Sequence, residues 1–228
     1  MPGSRRAEPV PERFAPDELA DLPAELALAQ LPAGRHGLPR SFVAQNQRLR
    51  IIAGMLRVLP RQGFAETTIG HVTTEAGVSR SAFYSQFESK EDCFLATYDI
   101  SAGWLCERVE AAAFAAKTWP EQVEAGVSEA LRLLAGNPDV AHLIAVESLQ
   151  AGPAARARRQ LCIARLADAL RAGRPASAAK PGNLEELLVG GALSLIARDL
   201  EAGRVEELIE VTPDLVGAIL FEVKADRN

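Results

Sequence analysis

Cysteine, histidine and aromatic residues are scarce in this chain: its 228 residues include three Cys, three His and 5% Phe, Trp or Tyr. Cys93, Cys106 and Cys162 are odd in number and lack metal-ligand spacing, which argues against a disulfide scaffold or metal centre and leaves reduced structural thiols. No catalytic constellation is present either. A Gly-rich phosphate loop, GxSxG and HExxH are all missing, and His36, His71 and His142 supply the imidazoles. His142 and Glu147 stand five apart, a spacing that shares an α-helix face poorly. Glu185-Glu186, Glu206-Glu207 and the Arg156, Arg158, Arg159 cluster read as solvated helix edges. The expectation is a protein that is not an enzyme and has no cofactor. No apolar run approaches the roughly 18 residues of a membrane span, and the opening MPGSRRAEPVPERF lacks the apolar stretch of a secretory signal. A cytoplasmic, soluble protein without a membrane partner is expected.

What is present is a large apolar fraction, 48%, beside 24% charged residues, enough to bury a sizeable core in one domain or two small ones. The net charge of −5 points away from a nucleic-acid partner. Its distribution does not. Residues 39–87 carry +4, from Arg40, Arg48, Arg50, Arg57, Arg61 and Arg80 against Glu66 and Glu75, while residues 1–38 carry −2 and residues 88–228 carry −7. A positive segment on an acidic body would orient the molecule on a polyanion.

Half of the 14 prolines (Pro2, Pro9, Pro11, Pro16, Pro23, Pro32, Pro39) fall before residue 40, so 1–38 reads as a largely flexible arm. From Ser41 onward the periodicity is helical. Val43, Leu49, Ile52, Met55, Leu56 and Leu59 recur at three- and four-residue intervals up to Gly63, with Pro60 expected to distort the last turn. Two short segments follow, 68–76 and 80–87. The spacing then predicts helices near 89–116, 120–135, 138–150, 153–172, 183–203 and 213–224, with proline at their starts and glycine at their ends. Nothing alternates with period two long enough to form a sheet. The fold class is all-α.

The stretch from Thr67 to Phe87 carries the chemistry. Thr68 can cap a helix whose apolar face is Ile69, Val72 and Ala76; Gly77 supplies turn angles and Val78 plugs the angle between helices. Ser79 is a good N-cap for a second helix that buries Phe83 and Phe87 and turns Arg80, Ser81, Tyr84 and Ser85 outward. A short helix, a glycine turn and a helix with a polar front make a helix-turn-helix, whose second helix enters the DNA major groove. Arg80 is placed to fork onto guanine O6/N7, and Tyr84 to reach phosphate or a thymine methyl. Ser89 and Asp92 form a capping-box-like start for the next helix, where the N-terminal amides and Lys90 suit one backbone phosphate. His71 reads as a solvated side chain or phosphate contact. Arg48 and Arg50 read as solvating the first helix or reaching DNA.

Residues 48–98 resemble the DNA-binding domain of the TetR family of transcriptional regulators. The resemblance lies in Gly63-Phe64, Thr67-Thr68-Ile69, Ala76-Gly77-Val78-Ser79, Phe83-Tyr84, Phe87 and Ser89-Lys90-Glu91; Gly54, Pro60, Thr73 and Gln86 depart from the family pattern. It implies DNA contacts from Thr68, from Ser79, Arg80, Ser81 and Tyr84 with Ser85 beside them, and from Lys90. It also implies three parts: the arm 1–38, a three-helix helix-turn-helix domain 39–98, and a helical ligand-binding and dimerisation bundle 99–228. Trp104, Phe114, Trp119, His142 and Glu147 are the candidate effector-pocket residues. Leu187, Leu188, Gly191 and Leu195, with Ala192 and Ile196, form a stripe that with Leu215 and Ile219 is expected to make a homodimer interface. The expected function is a repressor bound to a palindromic double-stranded DNA operator, with half-sites about one turn apart (~34 Å), and released by a small-molecule effector. The alternative is a ligand-binding or protein-interaction module with a vestigial DNA-binding head.

Overall fold

Apolar residues at helical spacing bury one face of α1 (Arg40–Glu66), where Ile51, Ile52, Met55 and Leu59 are fully enclosed. The computed structural model describes residues 40–174 and 183–224; the arm 1–38 lies outside them. Pro60 sits within the helix, close enough to its end that one lost hydrogen bond is tolerated. Helical geometry breaks at Gly63 (φ 75°, ψ 166°), the stop expected there, and a single turn resumes to Glu66. Gly54 allows α1 to lie directly on the next helix: a Cβ there would come 2.9 Å from the Val72 carbonyl oxygen and 3.0 Å from Ala76 Cβ.

Then come α2 (Ile69–Ala76) and α3 (Arg80–Tyr84), joined through Gly77 in the left-handed region (φ 61°, ψ 40°). α3 is shorter than the 80–87 segment expected. The Phe83 carbonyl accepts from both Gln86 N–H and Phe87 N–H (2.9 Å each), and Ser85 Oγ–H donates to the Ala82 carbonyl, so the chain tightens into a turn after Tyr84. Phe87 is still delivered to the core.

The body consists of α4 (Lys90–Phe114), α5 (Trp119–Gly136), α6 (Pro138–His142), α7 (Ser148–Gln150), α8 (Pro153–Ala172), α9 (Leu184–Glu201) and α10 (Thr212–Lys224). A 3-10 segment, Val205–Val211, leads into α10 and was not expected. The helix expected over 138–150 contains a π-helical turn, Leu143–Glu147, between α6 and α7, where Ser148 N–H reaches back to the Leu143 carbonyl. Among the described residues there is no strand, and no helix is long and apolar enough to cross a membrane. One apolar core runs from Ile51 and Phe83 in the head through Phe94 and Tyr98 to Ile163 and Ile196 in the body; a smaller cluster gathers Trp119, Val123 and Ile219.

Candidate nucleic-acid interface and body cavity

Caps set the outer face of the head. Thr68 Oγ1 accepts from His71 N–H (3.2 Å), and Thr68 N–H donates to His71 Nδ1 (3.4 Å). His71 closes a capping box while remaining exposed, as the solvated reading expected, and Gln62 Nε2–H donates to the same Nδ1. Ser79 Oγ accepts from Ala82 N–H (3.1 Å) and starts α3. With Phe83 buried, α3 exposes Arg80, Ser81 and Tyr84, continued by Ser85; Tyr84 is 59% exposed with its ring edge-on to Phe83. The Arg80 guanidinium lies against Gly70 of α2. Thr68 and Ser79 are exposed on the same helix pair. An exposed polar helix of this width can enter a major groove with Arg80 and Tyr84 leading.

Lys90 is arranged differently. Half-buried at the start of α4, it donates to the Phe64 carbonyl (2.8 Å), with Nζ 4.2 Å from the centre of the Phe64 ring. It closes the end of α1, so an approaching phosphate would compete with that carbonyl for it. The α4 cap uses Ser89 Oγ for Asp92 N–H and Asp92 Oδ2 for Glu88 N–H (both 3.0 Å).

Four arginines of α1 make contacts within the head. Arg48 donates to the Gln86 carbonyl (3.0 Å) and lies 4.4 Å over the Phe87 ring. Arg50 donates to the Ala76 and Gly77 carbonyls (2.7 Å each), capping α2 at its negative end. Arg57 (2.8 Å) and Arg61 (2.9 Å) share Glu75, and the hydrogen bond from Arg57 is the chief reason that the Glu75 carboxyl lies below its ordinary pKa. Four of the six arginines behind the +4 are therefore tied to partners within the head.

Head meets body at Phe64. Its N–H donates to buried Glu147 Oε2 (2.7 Å), its carbonyl accepts from Lys90, and its ring packs edge-on against Phe94. Glu147 also lies 3.7 Å from His142 Nδ1. Five residues apart, the two miss each other on an α-helix, but the π turn between them restores a common face. His142 and Glu147 consequently belong to the domain junction. Arg159 supports the same turn by donating to the Ile144 carbonyl (2.8 Å); it is buried, contrary to the solvated reading of its cluster. Glu185 is likewise buried, beside Arg171 (3.6 Å) and Arg174 (2.8 Å), instead of forming a solvated edge.

Five helices of the body surround a cavity of about 120 Å³. α4 contributes Leu105, Val109 and Ala113; α5 contributes Trp119, Gly126 and Ala130; Leu166 and Leu170 close it from α8. α9 supplies Leu188, Ala192 and Ile196, and α10 supplies Leu215 and Ile219, so five residues expected at a dimer interface line the cavity. Besides the indole of Trp119, the polar wall group is the side-chain amide of Gln122. Of the five residues expected at the pocket, Trp119 lines this cavity. Trp104 is buried elsewhere, Phe114 is 91% exposed at the end of α4, and His142 and Glu147 lie at the junction. On the outer side of α9, Leu187 is 72% exposed, Gly191 is exposed beside it and Leu195 is half-buried. The missed signal is small residues: Ala113, Gly126, Ala130 and Ala192 face inward and leave the inter-helix space unfilled.

A helix-turn-helix head on an all-helical body defines a class of nucleic-acid-binding regulators, and the comparisons with known proteins agree. Residues 51–97 match the family model "Bacterial regulatory proteins, tetR family". The HTH-type transcriptional regulator YerO of Bacillus subtilis is 41% identical over 58 residues, 25% of this chain and 20% of that protein. The chain spans between about a fifth and about a half of the length of the curated relatives it matches. Among solved structures, FadR from Bacillus subtilis in complex with stearoyl-CoA shares the fold at TM-score 0.66 and 20% identity, over 75% of this chain and 96% of that one. A TetR family transcription regulator from Marinobacter aquaeolei VT8 does so at TM-score 0.62 and 18% identity, over 77% and 97%. Residues 51–97 are thus a TetR-type DNA-binding segment, carried on a body that shares the fold of these regulators.

Proposed function

We propose that this protein is a dimeric DNA-binding transcriptional regulator whose operator affinity is set by an apolar, chain-like effector held in the body cavity. The observation that carries the reading is the pairing of an exposed α3 front, Arg80, Ser81 and Tyr84, with a cavity walled almost wholly by carbon. Thr68, Ser79 and Ser85 take the phosphate backbone beside it, Lys90 joins them where a phosphate displaces the Phe64 carbonyl, and Arg80 reads bases. An aliphatic ligand suits a wall whose polar groups are the Gln122 amide and the Trp119 indole. The binding of stearoyl-CoA by a protein of the same fold supports a long acyl chain as the ligand class.

An engineered cavity of about 150 Å³ holds benzene, so a longer chain must spread the helices around the 120 Å³ present here. α4 walls the cavity at Leu105 and holds the head at Lys90, so spreading it shifts the head. The ligand then favours the head spacing that does not fit DNA, and the operator is released. The exposed strip of Leu187, Gly191 and Leu195 on α9 supplies the face for a twin subunit, giving paired heads for a palindromic site. Repression with release by ligand is the regulatory sense; the residues of the head act in the cytoplasm, where the DNA is.

The test is fluorescence anisotropy on duplex DNA from upstream of its own gene, titrated across salt and with stearoyl-CoA. A steep fall of affinity with salt, and further release by stearoyl-CoA that Ala130→Phe abolishes, is the expected result. Flat salt dependence overturns the DNA reading and leaves the ligand-binding module with a vestigial head. Intact DNA binding without any response to acyl chains overturns the effector class alone.

A further inference from the structure

The body holds two thiols that neither DNA contact nor an apolar ligand employs. Cys106 on α4 and Cys162 on α8 are buried, with their Sγ atoms 3.7 Å apart. Closing a disulfide from that separation asks for side-chain rotation and a movement of under roughly 2 Å. Neither thiol lines the body cavity, but each lies one helical turn from its wall. Cys106 precedes Val109 by one turn and Cys162 precedes Leu166 by one turn, and both those residues wall the cavity. The setting is also reactive in the right sense. The hydrogen bond from Cys106, aided by the Tyr98 hydroxyl, Arg159 and Arg165 and opposed by burial, holds the Cys162 thiol below its ordinary pKa. That same contact, with burial, pushes Cys106 up. Cys93 provides the contrast: burial pushes it up to about 12.

We propose that Cys106 and Cys162 form an oxidisable dithiol that closes to a disulfide when a lipophilic hydroperoxide reaches the apolar core beside the body cavity. Cys162 sulfur attacks the terminal peroxide oxygen, the O–O bond breaks, and the thiol proton leaves with the alkoxide as an alcohol. Cys162 is then a sulfenic acid. Cys106 sulfur attacks the Cys162 sulfur, the S–O bond breaks, and the hydroxyl departs as water with the Cys106 proton. Two thiols are oxidised by two electrons, and one hydroperoxide is reduced to alcohol and water. The product staples α4 to α8 next to the cavity wall. This inference rests on the cavity and stands apart from DNA binding.

The experiment uses the full reduced chain, freed of reductant and exposed to cumene hydroperoxide or hydrogen peroxide. It is then alkylated in denaturant and mapped by mass spectrometry. The expected result is loss of two alkylatable thiols as one Cys106–Cys162 linked peptide pair, Cys93 fully alkylated, and recovery of both thiols with dithiothreitol. Cumene hydroperoxide should act faster than hydrogen peroxide at equal concentration. Cys106→Ser should stop at a sulfenic acid on Cys162 that dimedone traps. Three alkylated thiols after either oxidant, oxidation of Cys93 ahead of the pair, or faster reaction with hydrogen peroxide overturns the proposal. The wild-type map decides the matter even if a variant fails to fold.

Discussion

Head and body are built from the same helices and packed to different ends. In the head each apolar group meets another: Phe83 and Phe87 are enclosed, Gly54 lets two backbones touch, and four arginines of α1 tie carbonyls and Glu75 into place. In the body, alanines and glycines face one another across unfilled space. A closely packed element holds an exposed reading face rigid, whereas a loosely packed one can change shape at low cost. The lesson is that close packing backs the exposed α3 front, whereas slack surrounds the body cavity.

The largest effect should come from Phe83→Ala, about 3–5 kcal/mol of stability, because the site is fully enclosed. Leu188→Ala, at a half-buried site beside the cavity, should cost less, about 0.5–3 kcal/mol. Urea unfolding compares the two, and equal costs would break the contrast. Next is the junction: Glu147→Leu strands the buried Phe64 N–H and should cost about 1–3 kcal/mol. Glu147→Gln keeps an acceptor oxygen, and its unfolding midpoint should move less.

Smaller still is the Arg57–Glu75–Arg61 group, worth about 0.2–1 kcal/mol. Folding lowers the Glu75 pKa from 4.5, so its stabilisation is present above that value and disappears as pH falls through the lower folded value. Glu75→Gln should therefore be less stable than wild type near neutral pH, and the gap should close in acid below pH 4.5. A gap that stays constant to low pH would dismiss the carboxylate as its source. The smallest stability change, within about 0.5 kcal/mol, belongs to exposed Tyr84→Ala. Its DNA affinity should nonetheless fall about tenfold, a loss of ~1.4 kcal/mol. Unchanged anisotropy titration would remove Tyr84 from the interface.

Much of the head was legible because its devices are local. Thr68 and Ser79 cap helices that begin one residue later, Gly77 takes a left-handed turn, and Phe83 lies inward while Tyr84 lies outward, all within about twenty residues. Helix limits in the body were legible for the same reason, from proline and glycine at their ends. The identity of partners at long separation was not. Arg50 on the Ala76 and Gly77 carbonyls and Lys90 on Phe64 each depend on a neighbour chosen by packing. The pocket reading fared similarly: aromatic and polar residues were natural candidates, whereas the wall is mostly small and aliphatic.

The sequence by itself determined an all-helical chain, the helix-turn-helix and the polar front of α3, because caps, turns and periodicity act over a few residues. It also determined that positive charge gathers ahead of residue 88. Only the tertiary structure decided where that charge points, since a guanidinium goes to whichever carbonyl or carboxylate the packed helices bring within reach. Tertiary structure also joined His142 to Glu147 through a π turn, set Cys106 beside Cys162 and opened the cavity. Each of these depends on distances between helices, which no local spacing rule encodes.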